Sequence, residues 1–459
     1  MVSRYVAFQK DGIEVDKMHK KDIIIIGAGP GGYVAAIRAA QLGLDVAVVE
    51  KDRVGGTCLN VGCIPTKTYV AMAELYAKMQ EASHFGINVD GTFSIDFRRM
   101  VERKNEVVGQ LVRGIERLFQ KRKIELIRGE GKLDGPGRVE VEGEIYTAKN
   151  IILATGSEPM IPGFLDIPGF TLDSTALLDR AEPLSSLAVI GGGVVGVEFA
   201  SIWAHLGAKV SIVEMQPSLL PTLDKKVGIR LKSILKKKGV DVYTSRKAEK
   251  VTPGEIILDD GTVIKAEKML VAIGRRPVLS GIDTAKFGIR TENGFVSVSE
   301  TMETSLKGVY AVGDLLASPQ LAHVASKEGI VAVENIAGQK SRINYNAIPW
   351  AVFTHPEIAG VGASEGTLEG KFPFSANGKA LGAGETEGYV RIVADESGRV
   401  TGMEIIGPHA SDLIHEGALA VENGLTLEQV AETVHAHPTL SETVAEAAEG
   451  ALSRAIHLA

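Results

Sequence analysis

Two cysteines, Cys58 and Cys63, are the only thiols in a chain of 459 residues, and they stand five positions apart in the stretch GGTCLNVGCIPTK. A dithiol just downstream of the glycine-rich loop GAGPGG suggests redox chemistry. Two other readings exist. Free cysteine is commonly a small buried hydrophobe, and a structural disulfide is disfavoured because so short a loop yields little entropic gain and adds strain. Residues 1–20 are polar and mixed in charge, with no apolar stretch of the kind that directs export. A cytoplasmic, reducing setting is therefore expected, where a close cysteine pair is more often catalytic or metal-binding than structural.

The elements that must position this pair are legible upstream. The run DIIIIGAGPGG from Asp22 reads as a buried strand ending in a glycine turn that opens a helix over 33–42, followed by a strand over Val46 to Val49 that ends on Glu50. Gly27, Gly29 and Gly32 form GxGxxG. Its glycines let backbone approach a pyrophosphate, the helix start stabilises the negative charge, and Glu50 accepts from ribose hydroxyls. The same arrangement returns in LAVIGGGVVGVEFA with Gly191, Gly193, Gly196 and Glu214. Gly27 and Gly191, Leu42 and Leu206, and Glu50 and Glu214 are all 164 positions apart. That constant offset indicates two tandem nucleotide-binding units.

Two dinucleotide sites imply electron passage between two cofactors, a tightly held flavin (FAD) at the first and a diffusing nicotinamide at the second. Glu214 favours NAD over NADP, because a 2′-phosphate beside it would meet like charge; the alternative is a solvated strand end. Pro65 suits the first turn of a helix running through Met72, which would place Cys63 near its positive end. A thiolate there is stabilised. Lys67 adds positive charge beside flavin or thiolate, unless it is an ordinary exposed helix lysine.

The bulk properties narrow the field. A net charge of −7 disfavours nucleic-acid binding, and no run of about eighteen apolar residues exists to span a membrane. The length calls for two or three domains. The extension before Lys21 shows no periodicity. Residues 72–120 read as largely helical, 124–146 as β-rich, and the motif VYAVGD (309–314) as a further strand. From about Tyr345 strands are expected to alternate with acidic helices in a third domain.

With these motifs stand ATGSEP (154–159), GRRP (274–277), AVGD (311–314) and HAHPTLSE (435–442). In combination the sequence from about Lys21 to the C-terminus resembles the class I pyridine nucleotide-disulfide oxidoreductases, and among them those that reoxidise dihydrolipoyl groups. The resemblance implies an α/β fold of two tandem Rossmann-like domains plus an α+β dimerisation domain. The implied division is an N-terminal extension (1–20), an FAD-binding domain (21–150 and 275–344), an NAD-binding domain (151–274) and an interface domain (345–459). It implies a homodimer in which the His-containing tail of one subunit completes the active site of the other. Cys58 would exchange with substrate, Cys63 would face the flavin, His437 would be the acid–base residue and Glu442 its orienting partner, as neutral-pH imidazole chemistry allows.

Further positions follow the family pattern. Asp314 would contact the ribityl chain, Ala322 would approach the isoalloxazine ring, and Gly156 and Gly274 lie in cofactor-contacting motifs. Glu198 resembles a residue near the nicotinamide, against the alternative of a first-turn helix acid favoured by the dipole. His355 in FTHPEIAGVG is expected to be structural. Thr66 and Val278 depart from the commoner serine and asparagine without removing a chemical group. The implied activity is oxidation of dihydrolipoyl groups carried by a separate protein of a 2-oxo acid dehydrogenase or glycine cleavage complex, with reduction of NAD and no metal. A glutathione reductase would instead place basic residues at Glu214 and Met215. Mercuric and thioredoxin reductases of this fold need cysteines near the C-terminus, and this chain has none there.

Overall fold

Strands that are apolar on both faces need cover on both, and a parallel sheet flanked by helices supplies it. The computed structural model describes residues 20–457. Apart from Lys20, the expected N-terminal extension lies outside the described residues. The chain divides into two units: residues up to Val54 with Ile115–Gly156 and Val278–Ser341, and Gly55–Gly114 with Ser157–Pro277 and the segment from Arg342 onward.

In the first unit, Lys20–Ile26 lies between Val46–Glu50 and Glu144–Leu153, all parallel, with Ile24 in register with Ala47 and Ile151. Glu125–Arg128 extends one side, and Val309–Ala311 pairs with Glu144–Leu153 on the other. The AVGD strand thus joins the first sheet. An antiparallel meander, Gly131–Gly135 and Arg138–Val141, leads into the long strand Glu144–Leu153. Ile23, Ile24 and Ile25 are fully buried. The first helix runs Pro30–Gln41, three residues earlier than its expected start, because Pro30 suits the first helical turn and Gly29 before it is extended.

The second unit repeats the plan. Ser186–Ile190 lies between Lys209–Glu214 and Lys268–Val271, with Asp241–Thr244 and Thr171–Leu172 at the edges, all parallel. An antiparallel meander over 248–265 again precedes the fourth strand. The expected helical stretch is two helices, Cys63–Gln80 and Phe97–Arg122, interrupted around Gly86, whose φ of +77° ends a 3₁₀ turn. Cys63–Gln80 packs on Val194–His205, and Tyr69, Val70 and Ala73 share a core with Val197, Ala200 and Trp203. The helices that follow the first glycine loop in sequence therefore contribute to the core of the second unit.

From Arg342 the expected alternation of strands and helices is replaced by segregation. An antiparallel sheet comes first, in the order Trp350–Val352, Glu357–Gly362, Val400–Gly407, Tyr389–Ala394, Leu368–Pro373, interrupted only by short helical segments. The helices Ala410–Asn423, Leu427–Glu432 and Glu442–Ala451 follow and cover it, an α+β arrangement. Among the described residues no helix is long and apolar enough to cross a membrane.

The glycines of the twin loops are needed for backbone approach. A Cβ on Gly27 would lie 2.3 Å from Ala154 O and one on Gly191 2.3 Å from Ala272 O, both at φ above +100°. A Cβ on Gly32 or Gly196 would come within 1.9 Å of the carbonyl of Gly27 or Gly191. Gly193 differs: nothing lies within 4 Å of its Cβ position. Gly196→Ala is therefore expected to lower the thermal midpoint by roughly 3–10 °C through overpacking, while Gly193→Ala leaves it within about 2 °C. Equal midpoints for the two variants in calorimetry would contradict this assignment.

Candidate functional site

Cys63 is the first residue of the helix Cys63–Gln80, and no acidic side chain occupies the first turn. Its sulfur therefore stands at the positive end of an eighteen-residue helix. Cys58 sits on the preceding short helix Gly56–Asn60, within hydrogen-bonding reach of Cys63. Both are free thiols; Cys63 is exposed and Cys58 half-buried, so neither is core filler.

Their acidities diverge. The hydrogen bond to Cys63 and then burial push the Cys58 thiol far up. Cys63 is lowered to about 7, chiefly by the Cys58 hydrogen bond and then by the Lys67 charge, against burial and Glu198. The hydrogen bond between them thus favours the proton on Cys58 and thiolate character on Cys63.

Lys67 lies one turn along the same helix from Cys63, and it is not an idle surface lysine. Its Nζ donates to both carboxylate oxygens of Glu198 at 2.8 and 3.0 Å and lies 4.4 Å from the centre of the Phe353 ring. Glu198 is the fifth residue of Val194–His205, beyond the first turn, and its side chain is 4% exposed. The ion pair, not the helix dipole, accounts for its burial.

The two glycine loops share one clamp. Glu50 accepts from the backbone N–H groups of Ala28 and Asp52, both at 2.8 Å, and Glu214 from those of Gly192 and Gln216, both at 2.7 Å. These contacts preserve the offset of 164 residues. Glu214 is 7% exposed, which removes the reading as a solvated strand end. The helices Pro30–Gln41 and Val194–His205 start without a side-chain cap, so their first N–H groups are available to an anion. The open space beside Gly193 fits a pyrophosphate there.

The remaining expected residues fall on turns. Gly156 (φ +71°) accepts from Val278 N–H in the first unit, and Gly274 (φ +129°) accepts from Met160 N–H in the second. Asp314 is in the 3₁₀ turn that follows Val309–Ala311, and Ala322 opens the helix Ala322–Ile336. His355 packs edge-to-face on His205 at 5.7 Å and is pushed down to about 4 by burial, consistent with a structural part.

His437 and Glu442 form a pair of their own. A carboxylate only accepts, so His437 Nδ1 donates to Glu442 Oε1 at 2.9 Å and Nε2 is left for proton transfer. The Thr439 N–H at 2.8 Å, followed by His437, holds the Glu442 carboxyl below its usual range. The His437 side chain is 79% exposed, and its hydrogen bond runs to Glu442 rather than to either cysteine of the same chain.

One residue in the same motif escaped the sequence reading. His435, 8% exposed at its side chain, meets the Thr433 carbonyl through Nδ1 at 2.7 Å and Glu416 through Nε2 at 2.8 Å. Both partners are acceptors, so the ring is held as imidazolium, and Glu416 raises its pKa. HAHP contained it, but nothing in the sequence named Glu416 as its partner. A raised histidine stabilises fully below the unfolded pKa of ~6.5 and loses that contribution as pH rises through the higher folded value. Glu416→Gln should therefore lower stability by about 1–3 kcal/mol at pH 6 and by much less at pH 9. Thermal unfolding at the two pH values checks this, and an equal loss at both would refute the imidazolium.

With this geometry in view, comparisons with known proteins become specific. A profile of the pyridine nucleotide-disulphide oxidoreductases matches residues 21–329, and that of their dimerisation domain matches residues 348–448. Dihydrolipoyl dehydrogenase of Bacillus subtilis is 42% identical, over 95% of this chain and 99% of its own. The mitochondrial dihydrolipoyl dehydrogenase of Pisum sativum is 39% identical, over 96% of this chain and 93% of its own. Among solved structures, LpdA of Mycobacterium tuberculosis superposes with a TM-score of 0.86 at 28% identity, covering 94% of this chain and 99% of its own. A Cu(II) complex of the HOCl-induced flavoprotein disulfide reductase RclA of Escherichia coli gives 0.84 at 26%, with the same coverage. Twin glycine loops, an asymmetric dithiol, a C-terminal His–Glu pair and full-length similarity agree: the chain belongs to the pyridine nucleotide-disulphide oxidoreductases.

Proposed function

We propose that this protein oxidises dihydrolipoyl groups carried by another protein and reduces NAD, acting as a homodimer. The observation that carries the reading is the placement of two free thiols, Cys58 on Gly56–Asn60 and Cys63 at the start of Cys63–Gln80, where the helix end and their mutual hydrogen bond favour thiolate character on Cys63. Similarity to dihydrolipoyl dehydrogenases over about 95% of the chain supports the substrate class.

In the oxidised enzyme the two sulfurs are joined. His437 Nε2 takes the proton from one substrate thiol, and the resulting thiolate attacks Sγ of Cys58. The Cys58–Cys63 bond breaks and Cys63 leaves as a thiolate, stabilised by the helix start and Lys67. The imidazolium releases that first proton to solvent, and His437 then takes the proton of the second substrate thiol, which attacks the substrate sulfur of the mixed disulfide. That closes the lipoyl ring and releases Cys58, which takes a proton from imidazolium. Glu442 keeps His437 in the tautomer that makes this possible. The exposure of His437, within the segment matching the dimerisation domain, supports its action on the partner subunit's thiols.

The chemistry that bound FAD would supply is a two-electron link between the dithiol and NAD. Gly27, Gly29, Gly32, Glu50, Gly156, Asp314 and Ala322 would hold FAD, within a domain over 21–150 and 275–344. Gly191, Gly193, Gly196, Glu198, Glu214 and Gly274 would serve NAD over 151–274, leaving 345–459 as the interface domain. The open space at Gly193 and the uncapped helix starts support this fit. Glu214, fixed by two backbone N–H donors, would exclude a 2′-phosphate by its charge. A cytoplasmic setting and the absence of nucleic-acid, membrane and metal partners complete the reading. No cluster of three or more His, Cys, Asp or Glu able to hold a metal occurs among the described residues.

Steady-state rates with lipoamide and glutathione, each with NADH and NADPH, test the assignment. Lipoamide with NADH should be preferred over every other pairing by at least about tenfold, on the order of 1.4 kcal/mol. A preference for NADPH would overturn the reading of Glu214, and a preference for glutathione that of the substrate. Cys63→Ser should abolish lipoamide turnover while flavin stays bound; retained turnover would refute the thiol scheme.

A further inference from the structure

Three elements of the second unit meet at the Lys67 ammonium. Cys63–Gln80 supplies Lys67, Val194–His205 supplies Glu198, and the C-terminal sheet supplies Phe353. Phe353 follows the strand Trp350–Val352 directly. That strand is fixed by pairing Trp350, Ala351 and Val352 with Gly360, Ala359 and Ile358. The Trp350 ring rests where a Cβ on residue 360 would come within 2.3 Å of it, so Gly360 is needed for the ring to seat.

Phe353 makes two contacts of different kinds with one ion pair. Its backbone N–H donates to Glu198 Oε1 at 3.0 Å, and its ring face receives the Lys67 ammonium at 4.4 Å. The N–H takes up part of the Glu198 charge, leaving Lys67 less neutralised. The ring, whose face is electrostatically negative, gives the ammonium a second fixed partner. The Lys67 side chain is 31% exposed, and without the ring Glu198 alone would hold its ammonium away from water. Cys63 and Lys67 are separated by one helical turn on the same helix, so the orientation of Lys67 bears on the sulfur.

We propose that Phe353 is a positioning residue for the redox thiols: it holds the Lys67–Glu198 pair so that the lysine charge remains turned to Cys63. The opposing influences on Cys63, favourable from Lys67 and unfavourable from Glu198, make the sulfur sensitive to that arrangement. The C-terminal sheet thereby has a part in tuning the dithiol, alongside His437 on the segment between Leu427–Glu432 and Glu442–Ala451. This inference rests on Cys63 as the thiolate-bearing residue and not on the identity of the disulfide substrate.

The test reads the thiol rather than turnover. Cys58→Ser leaves a single cysteine and keeps a hydroxyl donor in place of the thiol; in that background the reduced holoenzyme is alkylated with iodoacetamide across pH 5 to 10. Adding Phe353→Leu, which keeps bulk and the backbone N–H but removes the ring face, should raise the midpoint for Cys63 by roughly half a pH unit. Phe353→Tyr, which restores the face, should return it to within about 0.2 unit of the parent. Should Phe353→Leu fail to yield holoenzyme, Phe353→Met is expected to show the same rise. A leucine or methionine profile superimposed on the parent, or a tyrosine shift as large as that of leucine, would overturn the proposal.

Discussion

A cysteine thiolate is stable inside a protein only where donors and positive charge outweigh the loss of water, and the region around Cys63 is built to that requirement. The helix Cys63–Gln80 contributes its N-terminus, Cys58 its proton and Lys67 its ammonium. Each needs support of its own. The helix is anchored by Tyr69 and Val70 in the core of the second unit, and Tyr69 OH donates to the Leu178 carbonyl. Lys67 is held by a buried carboxylate that would be intolerable without it. The resulting inequality is what the proposed parts rest on: Cys63 as leaving group and electron donor, Cys58 as the sulfur that meets substrate.

The nucleotide loops depend on an equally small device, used twice. A buried glutamate at a strand end ties down the loop between the first two glycines and the residue two past itself. Gly27, Gly32, Gly191 and Gly196 then pass close enough to neighbouring carbonyls that no side chain fits. The carboxylate is thus part of the loop's framework, besides the proposed contact with ribose.

Much of this was legible in the chain. GxGxxG with its terminal acid, repeated at 164 positions, specified both parallel sheets, because glycine spacing, apolar strand and acid are local requirements. Cys58, Cys63, His437 and Glu442 were likewise apparent from their motifs. What was hidden depends on contacts between distant segments. The break between Gln80 and Phe97 was obscured by a continuous helical composition, and the helix 63–80 and the start of the helix 97–122 share the core of the second sheet, which sequence order does not reveal. The repeat of the antiparallel meander was masked because the intervening helices differ in length. Phe353 and Glu416 carry no local signal, since each matters only through a partner 155 or 19 residues away.

Direct titration of each thiol tests the inequality on which the account stands. In reduced holoenzyme carrying Cys58→Ser, which keeps a hydroxyl donor, the thiolate absorbance of Cys63 should rise with a midpoint below the ordinary cysteine value of ~8.5. In Cys63→Ser, which removes the thiolate that raises Cys58 most and leaves burial to raise it, that of Cys58 should stay above the Cys63 midpoint. A Cys58 midpoint at or below that of Cys63 would contradict the division of labour between them.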